Sequence, residues 1–134
     1  ICIFTYIDRK YQNSARSYNY WRTCIWFMSE SLKVEFLPAS KLKIIDKYAF
    51  TSTSIESIII PSTVTDICNS AFEKCQNLKK VEFSPNSNLE RIECNAFSSI
   101  VSVIIPSKVK SIARNAFNSS IKVLIPKELE HKLW

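Results

Sequence analysis

The chain contains no glycine among its 134 residues. That absence excludes a Gly-rich phosphate loop, a dinucleotide-binding fingerprint and a glycine-flanked serine elbow. Tight turns must instead draw on Asn, Ser, Asp and Pro, which the chain supplies freely. Histidine occurs once, as His131 beside Glu130, and no partner constellation for catalysis surrounds it. No apolar run approaches the ~20 residues needed to cross a bilayer, and no targeting signal is visible. The five cysteines, Cys2, Cys24, Cys68, Cys75 and Cys94, form no metal-type doublet and no disulfide framework, and they are odd in number. Three of them fall inside repeated segments, where Cys acts as a small buried hydrophobe. Catalytic, cofactor-binding and metal-ligating residues are therefore not expected, and neither is a small-molecule substrate.

What is present is a repeat. Four Ala-Phe pairs, Ala49-Phe50, Ala71-Phe72, Ala96-Phe97 and Ala116-Phe117, follow one another at phenylalanine spacings of 22, 25 and 20 residues. Five residues before each Phe stands Ile45, Ile67, Ile92 or Ile112, and three further back Leu42, Val64, Leu89 or Val109. Self-similarity at this period marks a solenoid. Short apolar-x-apolar segments alternate with these units: Val34-Glu35-Phe36, Ile58-Ile59-Ile60, Val81-Glu82-Phe83, Val103-Ile104-Ile105 and Val123-Leu124-Ile125. Such alternation predicts short strands with one buried face. Proline follows each, directly at Pro61, Pro106 and Pro126 and two residues later at Pro38 and Pro85. Lacking an N–H, it marks the strand exit. A short helical turn is expected at Ala-Phe. The first and third units match at a displacement of 47 residues, the second and fourth at 45, so the duplicated unit is a pair. Stacked in register, Phe50, Phe72, Phe97 and Phe117 would form an inner spine.

Residues 1–31 match the rest poorly and mix aromatic with basic residues. Projecting the repeat backwards places Ile25-Trp26 at the Ala-Phe slot, Trp21 at the isoleucine slot and Tyr18 at the valine slot. The segment is read as a degenerate repeat or cap, the alternative being a stacking surface for single-stranded nucleic acid or sugars. Residues 32–134 form the array, about five strands. The Ile at position 1 and Lys132 in an isoleucine slot suggest a fragment of a longer array. Net charge is +6, and Lys108, Lys110, Arg114, Lys122 and Lys127 lie between Ile100 and Lys127 without an acid. Two readings remain for that segment, a solvated lysine-rich face and a patch for an anionic surface.

The run Ile58-Ile59-Ile60-Pro61…Val64…Ile67…Ala71-Phe72…Cys75…Leu78 resembles the BspA-like class of leucine-rich repeat, and the resemblance covers about residues 32–130. That class commonly has Gly after the second isoleucine, where this chain has Asp46, Cys68, Glu93 and Ala113. The resemblance implies an α/β repeat fold: a leucine-rich-repeat solenoid with short parallel strands on one face and turns or helical turns on the other. It also implies a cell-surface or secreted protein of bacteria or protists, associated with adhesion and carrying no defined catalytic residues.

In such a solenoid the residues alternating with buried strand positions line one broad face. Its middle column reads Glu35, Ile59, Glu82, Ile104 and Leu124, with Lys80 and Lys122 beside it. Aliphatics on an outward column make a candidate protein-binding strip, although β-branched residues also favour strands wherever they point. Three functions follow: an interaction or adhesion module for a host or cell-surface protein, a structural spacer, and, third, a polyanion or nucleic-acid binder using residues 100–127. The pair Glu90/Glu93 reads as surface charge. One glycosylation sequon, Asn118-Ser119-Ser120, matters only in a secretory compartment.

Overall fold

The computed structural model describes residues 25–27, 33–36, 40–118, 120 and 122–130. Two sheets run along it. The longer has six strands, in the order β1 (Ile25–Phe27), β2 (Lys33–Phe36), β4 (Ser57–Ile60), β6 (Lys80–Phe83), β8 (Ser102–Ile104) and β10 (Lys122–Leu124). The second has four two-residue strands, β3 (Ile44–Ile45), β5 (Asp66–Ile67), β7 (Arg91–Ile92) and β9 (Ser111–Ile112). Each coil passes through one strand of the long sheet, turns after its proline, adds a short strand to the second sheet and turns again at Ala-Phe. Coil-to-coil pairing is parallel throughout, because each repeat brings the chain back in the same direction.

The β1–β2 pair is the exception, being antiparallel with Ile25 opposite Phe36. Ile25-Trp26 therefore lies in a strand of the long sheet, and its projection onto the Ala-Phe turn does not hold. The five residues between Phe27 and Lys33 are too few for a parallel crossover, which takes a dozen or more, but are enough for a hairpin. Tyr18 and Trp21 lie outside the described residues.

Aliphatic columns fill the space between the sheets. Val34, Ile58, Val81 and Val103 are buried from the long sheet, and Ile45, Ile67, Ile92 and Ile112 from the second. Val64, Leu89 and Val109 close the corner after the prolines, and Ile55, Leu78 and Ile100 the corner before the long strands. The phenylalanines form a third column. Phe50 and Phe72 have ring centroids 5.0 Å apart, Phe72 and Phe97 5.0 Å, and Phe97 and Phe117 5.7 Å, all within 6° of parallel. Their separation follows the ~4.8 Å spacing of neighbouring strands. Ala71, Ala96 and Ala116 are fully buried beside them, where no larger side chain would let the coils approach.

The Ala-Phe turns are not helical. Helix would send each Phe N–H to the carbonyl four residues back. Instead Phe50 N–H donates to Ala71 O at 2.8 Å, Phe72 to Ala96 O at 2.9 Å and Phe97 to Ala116 O at 2.8 Å. The turns are thus bonded coil to coil like the strands. Two residues before the Phe, Tyr48, Ser70 and Asn95 have φ between 54° and 61°; two residues after it, Ser52 and Lys74 have φ of 59° and 58°. Left-handed residues on both sides interrupt a right-handed helix. Among the described residues the one helical segment is the 3-10 turn Lys127–Leu129. The left-handed position is also not the one after the isoleucine, so Asp46, Cys68, Glu93 and Ala113 need no glycine there.

The alternating repeat length has a local cause. Between the β4 and β6 coils the offset is 23 residues at Ile60↔Phe83 but 25 at Asp66↔Arg91. The two extra residues are accommodated at Pro85-Asn86, with Asn86 at φ 59°. This is also why Pro85 comes later after its strand than Pro61.

Candidate protein-binding face

The outward residues of the long sheet fall into two columns. Register pairs Lys33 with Ser57, Ser57 with Lys80, Lys80 with Ser102 and Ser102 with Lys122. Two residues along, Ile59 lies beside Glu82 and Ile104 beside Leu124. Glu35 takes the matching backbone place in β2, opposite Trp26; its side chain lies outside the described residues. Exposure differs along the apolar column: Ile59 is half-buried, Ile104 is 68% exposed and Leu124 45%. Val101, just before β8, is equally open at 68%. It precedes the alternating strand segment, so the strand pattern did not single it out.

The charged members of the face are not equivalent. Lys80 Nζ lies 2.9 Å from Glu82 Oε1, an exposed pair within one strand. Lys122 is exposed and makes no ion pair among the described residues. The Phe column, by contrast, is enclosed: Phe72 and Phe97 are fully buried and Phe50 nearly so. Those rings lie in the core, out of reach of a ligand.

On the second sheet, ionic contacts join successive coils. The Arg91 guanidinium donates through Nε to Asp66, which also accepts from the Thr65 hydroxyl at 2.5 Å. Burial pushes the Asp66 carboxyl up, but the Thr65 hydrogen bond and Arg91 outweigh it and hold it below the ordinary carboxylate range. Lys110 pairs with Glu90 at 2.8 Å, Lys108 donates to Asn88 at 2.7 Å, and Glu93 accepts the Asn69 N–H at 3.0 Å. Glu90 and Glu93 are surface carboxylates that each also contact a neighbouring coil. The basic segment is divided by the same contacts: Lys108 and Lys110 turn to the preceding coil, while Arg114, Lys122 and Lys127 have no acidic partner among the described residues.

The described cysteines, Cys68, Cys75 and Cys94, are free thiols. Burial, then Glu93 and the nearby aspartates, push Cys68 up to about 11. Cys75 is fully buried, its Sγ donating to Phe50 O at 2.9 Å across the coil boundary. Burial raises that thiol too. Cys2, Cys24 and His131 lie outside the described residues. Asn118 is exposed, and its Oδ1 accepts the Ser120 N–H at 3.1 Å. Among the described residues no group of three or more His, Cys, Asp or Glu side chains could hold a metal, and no helix is long and apolar enough to cross a membrane.

Comparison with known proteins agrees with this geometry. The family model described as BspA type leucine rich repeat region matches residues 26–130 in six copies. The structure of the pneumococcal vaccine antigen PcpA is similar at 35% identity and TM-score 0.61, the match covering 66% of this chain and 23% of that one. A leucine-rich repeat protein from Bacteroides capillosus shares the fold at 21% identity and TM-score 0.63, over 78% of this chain and 92% of its own. Among curated proteins none matches the chain.

Proposed function

The chain belongs to the BspA type leucine-rich repeat family, and from that membership we propose that it is a non-enzymatic protein-interaction module of a surface or secreted protein, adhesive in role. It presents the outer face of the long sheet to a protein partner. The observation that carries this reading is the adjacent pair Ile104 and Leu124, held side by side on neighbouring strands at 68% and 45% exposure. Each is backed by a strand whose inward residues pack in the core, so the pair is presented in fixed geometry and little ordering entropy is lost on binding. Apolar side chains with a lysine rim have the make-up of an interface centre. The surface or secreted placement draws on the family and on PcpA, described as a vaccine antigen; this chain spans 23% of that protein.

The test is capture of proteins from host-cell and cell-surface extracts, using the chain and its Ile59→Glu/Ile104→Glu variant at matched thermal stability. Loss of specific partners with the variant supports the face. Identical capture by both proteins assigns the repeats to a spacer role. A polyanion function is opposed by the engagement of Lys108 and Lys110 with the preceding coil, and it requires affinity to fall steeply with salt.

A further inference from the structure

Strands β6 and β10 hold equivalent places on the long sheet, two coils apart, and so act as internal controls for one another. β6 reads Lys80-Val81-Glu82 and β10 reads Lys122-Val123-Leu124. In β6 the lysine meets a carboxylate two residues along its own strand, at 2.9 Å. In β10 that place is Leu124. The neighbouring strand does not compensate, since the register sets Ser102 and Ile104 beside Lys122 and Leu124. Nor does the surrounding sequence, which has no acid between Ile100 and Lys127. Among the described residues Lys122 is thus left without an ion pair, next to the exposed apolar pair Ile104 and Leu124.

Resting on the protein-interaction reading above, we propose that this end of the face binds an extended acidic segment of a protein partner, reading apolar-x-acid. Side chains at i and i+2 of an extended segment share a face and are separated by roughly 6.5 Å. Lys122 and Leu124 are themselves such a pair. A segment laid along β10 sets an apolar side chain over Leu124 and Ile104 while its carboxylate meets Lys122, supplying what Glu82 supplies to Lys80. Polyanions without apolar groups leave Ile104 and Leu124 uncovered. A second copy would bring its own acid-free 100–127 segment, and like charges oppose that contact.

The probes are fluorescein-labelled peptides of repeating Val-Ser-Asp-Ser, Ser-Ser-Asp-Ser and Val-Ser-Lys-Ser units, called Val-Asp, Ser-Asp and Val-Lys after the two residues that share a face, with polyphosphate as competitor, read by fluorescence anisotropy. Val-Asp is expected to bind at least about tenfold tighter than either other peptide, with polyphosphate a poor competitor. Lys122→Glu shifts the preference to Val-Lys. Leu124→Glu, which recreates the Lys-x-Glu pair of β6, removes binding of Val-Asp. Circular dichroism melts confirm that both variants fold. Equal binding of Val-Asp and Val-Lys, equal binding of Val-Asp and Ser-Asp, or efficient competition by polyphosphate overturns the proposal. So does concentration-dependent self-association that Leu124→Glu abolishes, which assigns the face to a second copy. Loss of capture with Ile59→Glu/Ile104→Glu, without any peptide preference, leaves the interaction face standing and removes only the acidic segment.

Discussion

Truncating Phe72 to alanine should be the most damaging single change in the array. The ring is fully buried and stacks on both faces, 5.0 Å from Phe50 and 5.0 Å from Phe97. Neither neighbour can collapse into the space, because Phe50 N–H and Phe72 N–H are tied to Ala71 O and Ala96 O and hold the coils at their spacing. The lost transfer energy and the retained cavity together cost about 3–5 kcal/mol. For a domain whose whole stability is about 5–15 kcal/mol, that is a large share. In a chain of this size it lowers Tm by roughly 10–20 °C. Phe117 is the built-in comparison, since it stacks on Phe97 at 5.7 Å and is only partly buried. Phe117→Ala should cost less, because less of that ring is removed from water. Thermal melts followed by far-UV circular dichroism, with urea titrations to check that the m-value is unchanged, measure both. A Phe72→Ala protein melting within about 2 °C of the parent, or a Phe117→Ala protein equally destabilised, would refute the stacked column as a source of stability.

Tyr48 holds a left-handed backbone, φ 61°, with its side chain 46% exposed. That conformation costs a non-glycine residue about 1–2 kcal/mol, partly offset by the entropy glycine loses on folding. Tyr48→Gly should thus stabilise by roughly 0.5–1 kcal/mol in urea titration; Lys47 Nζ lies over the Tyr48 ring, 5.1 Å from its centroid, and destabilisation would show that this contact outweighs the strain. For Asp66, whose carboxyl is held below its ordinary 3.8, the stabilisation is complete above that value and disappears as pH falls through the lower folded value. Asp66→Asn should therefore flatten the acid limb of stability below about pH 4 and leave a constant deficit at neutral pH; an unchanged acid limb counts against the Arg91 and Thr65 contacts. With Cys68 pushed up to about 11, only about a thousandth of the thiol is thiolate at pH 8. Alkylation mapped by mass spectrometry should find Cys68 slow to modify in the folded chain and fast in urea, and fast native labelling would contradict its environment.

Much of the coil was legible because its information is periodic. The apolar-x-apolar segments and their prolines place the strands of the long sheet, and the Ala-Phe interval brings each ring to the same point of its coil. The family resemblance drawn from Ile58 to Leu78 agrees with the match over residues 26–130. Other features depend on contacts no single repeat contains. Ala, Phe and their polar neighbours suit a helical turn, but the Phe N–H is taken by the next coil. Glu90 and Glu93 read as surface charge, and register adds their contacts to Lys110 and the Asn69 N–H in neighbouring coils. Ile25-Trp26 followed the period on paper, yet a short connection makes it an antiparallel strand.

By itself the sequence determined the class of fold, the repeat and the alternation of inward and outward residues, because a strand's side-chain period of two is a local property. Tertiary structure decided which outward residues become neighbours. Offsets between coils run from 20 residues at Ile92↔Ile112 to 25 at Ile67↔Ile92, and side chains that far apart meet only after the intervening turns have been set. Insertion of Pro85-Asn86, the ion pair of Asp66 with Arg91 and the exposed Ile104–Leu124 pair all belong to that level. So does the contrast between a lysine satisfied in β6 and one left open in β10, on which the proposed binding chemistry rests.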